Sequence, residues 1–162
     1  MEADARRAAE LDPRDAEAQA ALAFAHALTG RLAEAAAEVT RAVRENPANI
    51  HVLVIAANIL PFAGQPELAA GHADKALRLD PRMLPGTIAG VTFAYFFTRR
   101  FDDALAALVR VPREGFNRRL AFLQAAALAQ LNRAAEVGPA REFLLAQYPN
   151  TPPNRRSAGS SG

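Results

Sequence analysis

Apolar residues, nearly half of them alanine, run through the chain in blocks broken by proline, glycine and short polar turns. The blocks predict a helix over 3–11 and then helix pairs over 15–29/32–45, 49–62/66–78, 84–98/101–110 and 117–131/134–147. Alanine loses no side-chain entropy in a helix, and the sparse Val and Ile leave little material for strands. Asp15 and Asn49 stand where N-caps are needed. Pro61 and the pair Gly138-Pro139 break helical rules, and each predicts a kink or a late start. From Thr151 onward, 151–162 reads as a flexible tail or linker.

The blocks repeat. Pro13, Pro47 and Pro81 stand 34 residues apart, as do Gly30 and Gly64. Ala8, Ala42 and Ala76 keep that spacing, and so do the pairs Ala35/Ala69 and Ala23/Ala57. Helices whose axes approach to about 8–10 Å need small residues where they cross. The turn after a first helix needs Gly for a left-handed residue. Proline after the second helix cannot continue it and resets the chain. A third unit is degenerate: Arg99–Ala104 aligns with Gly30–Ala35 at an offset of 69, so one residue has been inserted, and its second helix ends early at Val111-Pro112. A fourth turns at Leu131-Asn132-Arg133 and closes at Tyr148-Pro149.

A 34-residue unit of two helices, with small residues at Ala23, Ala35 and Ala42 and a closing Pro47, resembles the tetratricopeptide (TPR) repeat. The resemblance implies an all-α, right-handed superhelix of about 4.5 repeats filling 1–150. Its parts would be a lone second helix at 3–13, repeats at 14–47 and 48–81, and degenerate repeats at 82–115 and 116–150. Because the chain opens on a second helix, it is expected to be a piece of a longer protein. The stretch Phe93–Leu108 with the Val111-Pro112 break, and Leu120–Tyr148, is similar to C-terminal arrays of bacterial class III adenylate/guanylate cyclases. That likeness implies a regulatory module attached to an output domain, with no cyclase residue in this chain.

Composition narrows the function. There is no cysteine, no signal-peptide pattern and no apolar run long enough to span a bilayer, which points to the cytoplasm. Catalytic sites need clustered nucleophiles, bases or metal ligands. Every serine lies at Ser157 or later, and His26, His51 and His72 match no metal-binding or metalloprotease spacing. His26 falls at an aromatic packing position of the repeat, implying a structural role. Gly86, Gly90 and Gly138 lack the lysine and spacing of a phosphate loop, and Asp102-Asp103 open a helix, where its dipole favours acids. The chain is therefore expected to be no enzyme and to use no cofactor or metal.

The formal net charge of +2 conceals a division. Residues 1–81 hold 8 Lys+Arg against 12 Asp+Glu, and residues 82–162 hold 11 against 5. The pairs Arg99-Arg100, Arg118-Arg119 and Arg155-Arg156 raise nucleic-acid binding, yet no aromatic–basic interleaving supports base stacking.

The resemblance instead implies a protein-interaction scaffold whose first helices line a concave groove for a peptide, a helix or a neighbouring domain. By position the lining would be Glu17, Ala20, Phe24 and Ala27, then His51, Val54, Asn58 and Phe62. It would continue with Ile88, Thr92 and Tyr95 or Phe96, then Arg119, Phe122 and Ala126. Asn58 matches a peptide-holding asparagine of some family members, but the cations of a carboxylate clamp are missing. The groove reads as mostly apolar with a few polar posts, which suits an amphipathic helix or an adjoining domain. One helix face cannot hide Phe93, Tyr95, Phe96, Phe97 and Phe101 together, so some are expected to be exposed. Phe143, Leu145 and Tyr148 predict an apolar C-terminal end covered by a partner or a second copy, and self-association there is a rival function.

Overall fold

The computed structural model describes residues 2–12 and 14–149. Pro13 and the tail at 151–162, with Arg155, Arg156 and the serines, lie outside the described residues. Among the described residues the elements are α1 (Glu2–Leu11), α2 (Ala16–Leu28), α3 (Leu32–Glu45), α4 (Ile50–Ile59) and α5 (Pro66–Leu79). They continue with α6 (Pro85–Phe97), α7 (Phe101–Leu108), a 3-10 turn at Arg113–Gly115, α8 (Arg118–Gln130) and α9 (Ala134–Gln147).

Local chemistry sets the ends of these helices. The Asp15 carboxylate accepts from the N–H groups of Glu17 at 2.9 Å and Ala18 at 3.2 Å. Asn49 caps α4 through the Val52 N–H, and Asn117 caps α8 through the Leu120 N–H. At α6 the cap position holds Leu84, which has no side-chain acceptor to offer.

The four hairpin turns share one geometry. Gly30, Gly64, Arg99 and Asn132 all have positive φ, at 79°, 77°, 60° and 54°. In each, the next residue donates its N–H to the carbonyl five residues back: Arg31 to His26, Gln65 to Leu60, Arg100 to Tyr95 and Arg133 to Leu128. This is the Schellman closure, which satisfies a carbonyl at the helix end. Arginine occupies a left-handed position in the third hairpin where the first two use glycine.

Every helix packs on the next, and the first helices also pack directly on one another, α2 on α4, α4 on α6 and α6 on α8. The stack is drawn together on that side, so the first helices line the inside of the curve. Ala23, Ala57, Ala35, Ala69, Ala104, Ala42 and Ala76 are all fully buried at the crossings. Ala8 is exposed instead. Thr92 takes the place corresponding to Ala57 and remains buried because its hydroxyl donates to the Ile88 carbonyl at 2.9 Å.

Three expectations need correction. Helix α4 ends at Ile59, and Pro61 sits buried in the turn rather than kinking the helix. Helix α9 begins at Ala134 and runs through Gly138-Pro139 with no late start. Pro139 leaves the Ala135 carbonyl without a helical donor, and Ala135 lies on the exposed side of the helix. The C-terminal aromatics, finally, find partners inside the chain. Phe143 packs edge-on against Phe116 at 6.0 Å, and the Tyr148 hydroxyl donates to the Phe116 carbonyl at 2.9 Å.

Candidate functional site

The inner surface is built from three rows, each holding one structural position from successive first helices. At their N-terminal ends lie Glu17, His51, Gly86 and Arg119. Midway are Phe24, Asn58, Phe93 and Ala126. At the hairpin-turn edge stand Leu28, Phe62, Phe97 and Gln130. The first row is mostly polar and the last is apolar in its first three members, so the two sides of the groove differ in character there.

A pocket between α2, α4, α6 and α8 brings together Phe24, His51, Val54, Asn58 and Arg119 from the sequence-derived set. Glu17 is exposed at the start of α2 and accepts from the Asn49 side-chain amide at 3.1 Å. Phe62 and Phe122 are exposed, and Ala27 and Ala126 are half-buried. Ala20 is fully buried under α3 and α4, in contact with Ala42 and Val52, and presents nothing to the groove.

On α6 the expected lining is one position out of register. Ile88, Thr92 and Tyr95 are buried in the core, and Phe96 turns toward Phe101, Leu105 and Leu128. Gly86, Ala89, Gly90, Phe93 and Phe97 face inward instead. The inserted residue lies in the connection before α6, so the spacing from α4 to α6 is 35 rather than 34, as Gly64 and Arg99 show. A one-residue slip turns a helix by about 100°. A residue is lost again after α7, which returns α8 to register and leaves Arg119 and Phe122 where the 34-residue spacing puts them.

Tyr95 instead joins α5, α6 and the turn before α7 on the other side of α6. Its hydroxyl donates to Asp74 at 2.7 Å, and Arg100 grips the same carboxylate with two bonds of 2.9 and 3.1 Å. The Arg100 guanidinium also lies 4.4 Å from the Tyr95 ring centre. The Arg100 hydrogen bonds hold the Asp74 carboxyl below its ordinary range. Burial and the bond to Asp74 push the Tyr95 phenol well up.

Sequence reasoning missed Ile55, Leu84, Gly86, Thr87, Ala89, Gly90 and Asn117 in the pocket wall. Gly90 is the informative one. A Cβ there would lie 2.6 Å from the Val54 carbonyl oxygen, so glycine is what lets α6 approach α4. Leu84 is 76% exposed and overhangs the pocket from the cap position. Phe62, Phe93 and Phe97 form a continuous aromatic surface, with centroids 5.3 to 6.1 Å apart.

Four of the nine described arginines of the basic half, Arg100 among them, donate hydrogen bonds within the fold. Arg110 donates to the Pro81 carbonyl, Arg113 to Gln124 while lying against Phe116 and Phe143, and Arg133 to Glu136. Among the described residues no three His, Cys, Asp or Glu side chains converge as metal ligands would, and no helix is long and apolar enough to cross a membrane.

Stacked helical hairpins around an open inner surface define an α-solenoid. The particular solenoid is the tetratricopeptide-repeat fold. A structure of PilF from Pseudomonas aeruginosa matches 91% of this chain and 67% of its own, at 18% identity and a TM-score of 0.66. YrrB, described as a TPR protein with an unusual peptide-binding site, matches over 92% of this chain and 77% of its own, with 17% identity and a TM-score of 0.68. MamA matches over 93% and 85%, with 14% identity and a TM-score of 0.67. No protein-family model and no curated protein matches the sequence. At these identities the likeness establishes the fold.

Proposed function

We propose that the chain is a protein-interaction module that receives a segment of a protein partner in its concave groove, acting by binding rather than by catalysis. The observation that carries this reading is where exposed apolar surface lies. Six of the ten exposed large apolar side chains among the described residues, Phe24, Leu28, Phe62, Leu84, Phe97 and Phe122, belong to the first helices, their caps and their turns, whereas Leu11, Leu68, Leu79 and Val109 are scattered over the second helices and their ends. The outer surface of α1 is instead charged, with Arg6 paired to Glu2 and Arg7 to Glu10. Exposed apolar surface collected on one concave face marks a binding site, whereas single scattered residues do not. YrrB, which shares the fold, has a peptide-binding site, and that use of the fold accords with this reading. An output domain of the same polypeptide would use the same surface.

Two rivals receive less support. Self-association through apolar ends draws less support, since Phe143 and Tyr148 have partners within the chain. Nucleic-acid binding through the basic half has fewer arginines to draw on than its composition suggests, since Arg100, Arg110, Arg113 and Arg133 already have partners.

The test is capture of partners from lysate by the wild-type chain and by a variant carrying Leu84→Asp and Phe122→Ser. Both side chains are exposed, and aspartate at position 84 supplies α6 with the N-cap it lacks, so lost binding would not reflect lost folding. A partner held by the wild type and released by the variant supports the groove. Equal capture by both moves the site elsewhere.

A further inference from the structure

Resting on that reading, we propose that the groove takes an amphipathic α-helix whose apolar stripe seats on the Phe62–Phe93–Phe97 surface and whose flanking carboxylate is held by Arg119. The groove has two unlike sides. One edge carries Leu28, Phe62 and Phe97, and the opposite row is mostly polar. A helix with one apolar and one polar face matches both at once. An extended segment would bring a row of backbone N–H and C=O groups that need partners. The pocket offers them four scattered polar side chains, His51, Asn58, Thr87 and Arg119, rather than a continuous row, and the Asn117 side-chain oxygen already caps α8. A helix satisfies its own backbone and asks mainly for apolar surface.

Arg119 supplies the charge complementarity. It is exposed, it is the only Lys or Arg in the pocket lining, and no Asp or Glu lines that pocket. Its guanidinium lies 4.8 Å from the Phe93 ring centre, and among the described residues it has neither an ion pair nor a hydrogen-bond acceptor. An arginine held against an aromatic ring is ordered in advance and keeps its N–H donors for a planar carboxylate. Because Phe93 belongs to the aromatic surface, the site for the carboxylate adjoins the site for the stripe.

Binding of labelled synthetic helices to the full chain, read by fluorescence anisotropy, tests the proposal. Three peptides of about four turns suffice. The first carries an apolar stripe flanked by glutamate, the second replaces that glutamate with glutamine, and the third scrambles the stripe at equal composition. The glutamate helix is expected to bind at least about tenfold more tightly than the scrambled one. Arg119→Ala should weaken the glutamate helix about fivefold and leave the glutamine helix nearly unchanged, with no shift in melting temperature. Equal weakening of both helices by Arg119→Ala would overturn the proposal. So would equal binding of the scrambled helix, or no binding of any of the three. The broader groove reading is judged separately: a lysate partner released by the Leu84→Asp/Phe122→Ser variant sustains it even where all three helices fail.

Discussion

The hairpins α4–α5 and α6–α7 occupy successive places in the stack, yet they reach the groove by different means. Helix α4 follows the rules of its repeat, with a side-chain cap at Asn49 and a glycine at its left-handed turn. Helix α6 lacks the cap, turns on Arg99 and sits one residue out of step. What it gains is a row of aromatics at the inner surface and a glycine that brings it against α4. Departures from the repeat pattern therefore gather in the hairpin that shapes the groove. Locally imperfect positions at a functional surface are what a sequence tolerates when stability is supplied elsewhere.

Substitutions can break or sharpen this contrast, and the largest effect is expected at the contact between the two helices. Gly90→Ala places a methyl 2.6 Å from a backbone oxygen and should cost about 1–3 kcal/mol in urea unfolding. Gly86→Ala, with nothing within 4 Å of its Cβ, should stabilise by about 0.5–1 kcal/mol in the same experiment. If both changes destabilised alike, close packing would not be the reason for Gly90.

Next in size is the link between the hairpins. Asp74→Ala removes the acceptor of both Tyr95 and Arg100 and should cost about 1–2 kcal/mol. The wild-type contribution also has a pH signature. Its folded carboxyl titrates below the ordinary value of 3.8, so the stabilisation is present above that pH and is lost as pH falls through the folded value. Denaturant midpoints for wild type and Asp74→Ala should therefore converge in acid, and a constant gap would refute the assignment. A smaller gain, about 1 kcal/mol, is expected from Leu84→Asp through the new cap. Arg99→Gly should add about 0.5 kcal/mol or more by removing left-handed strain, less what is lost with the Arg99–Phe101 contact at 5.9 Å. A fall in melting temperature for either variant would show that the position had been misjudged.

Much of this was legible in the sequence, because a 34-residue spacing of prolines, glycines and alanines fixes the order of helices and turns. On α4 the same spacing was enough to bring His51, Val54 and Asn58 to one pocket. It failed on α6 for a definite reason. Alignment of the repeats reveals that a residue is inserted before Arg99, but not on which side of α6, and the helix turns by about 100° between the two choices. The glycine pair Gly86 and Gly90, four residues apart on one helix face, was the signal that could have decided it. Tyr95, Asp74 and Arg100 were beyond reach, since nothing in the repeat pattern says that side chains from two helices and a turn will meet.

That meeting point also bears on how the molecule opens. In a solenoid each unit touches mainly its neighbours, so hairpins can in principle melt one at a time from the ends. Asp74 belongs to α5 and its partners to α6 and to the turn before α7. Separating the second hairpin from the third thus breaks charged bonds as well as apolar contact, and the two become one cooperative unit. Amide hydrogen exchange would then be slowest in α5 and α6, with fraying confined to α1 and α9. The groove's aromatic surface is carried by the part of the chain that stays closed longest.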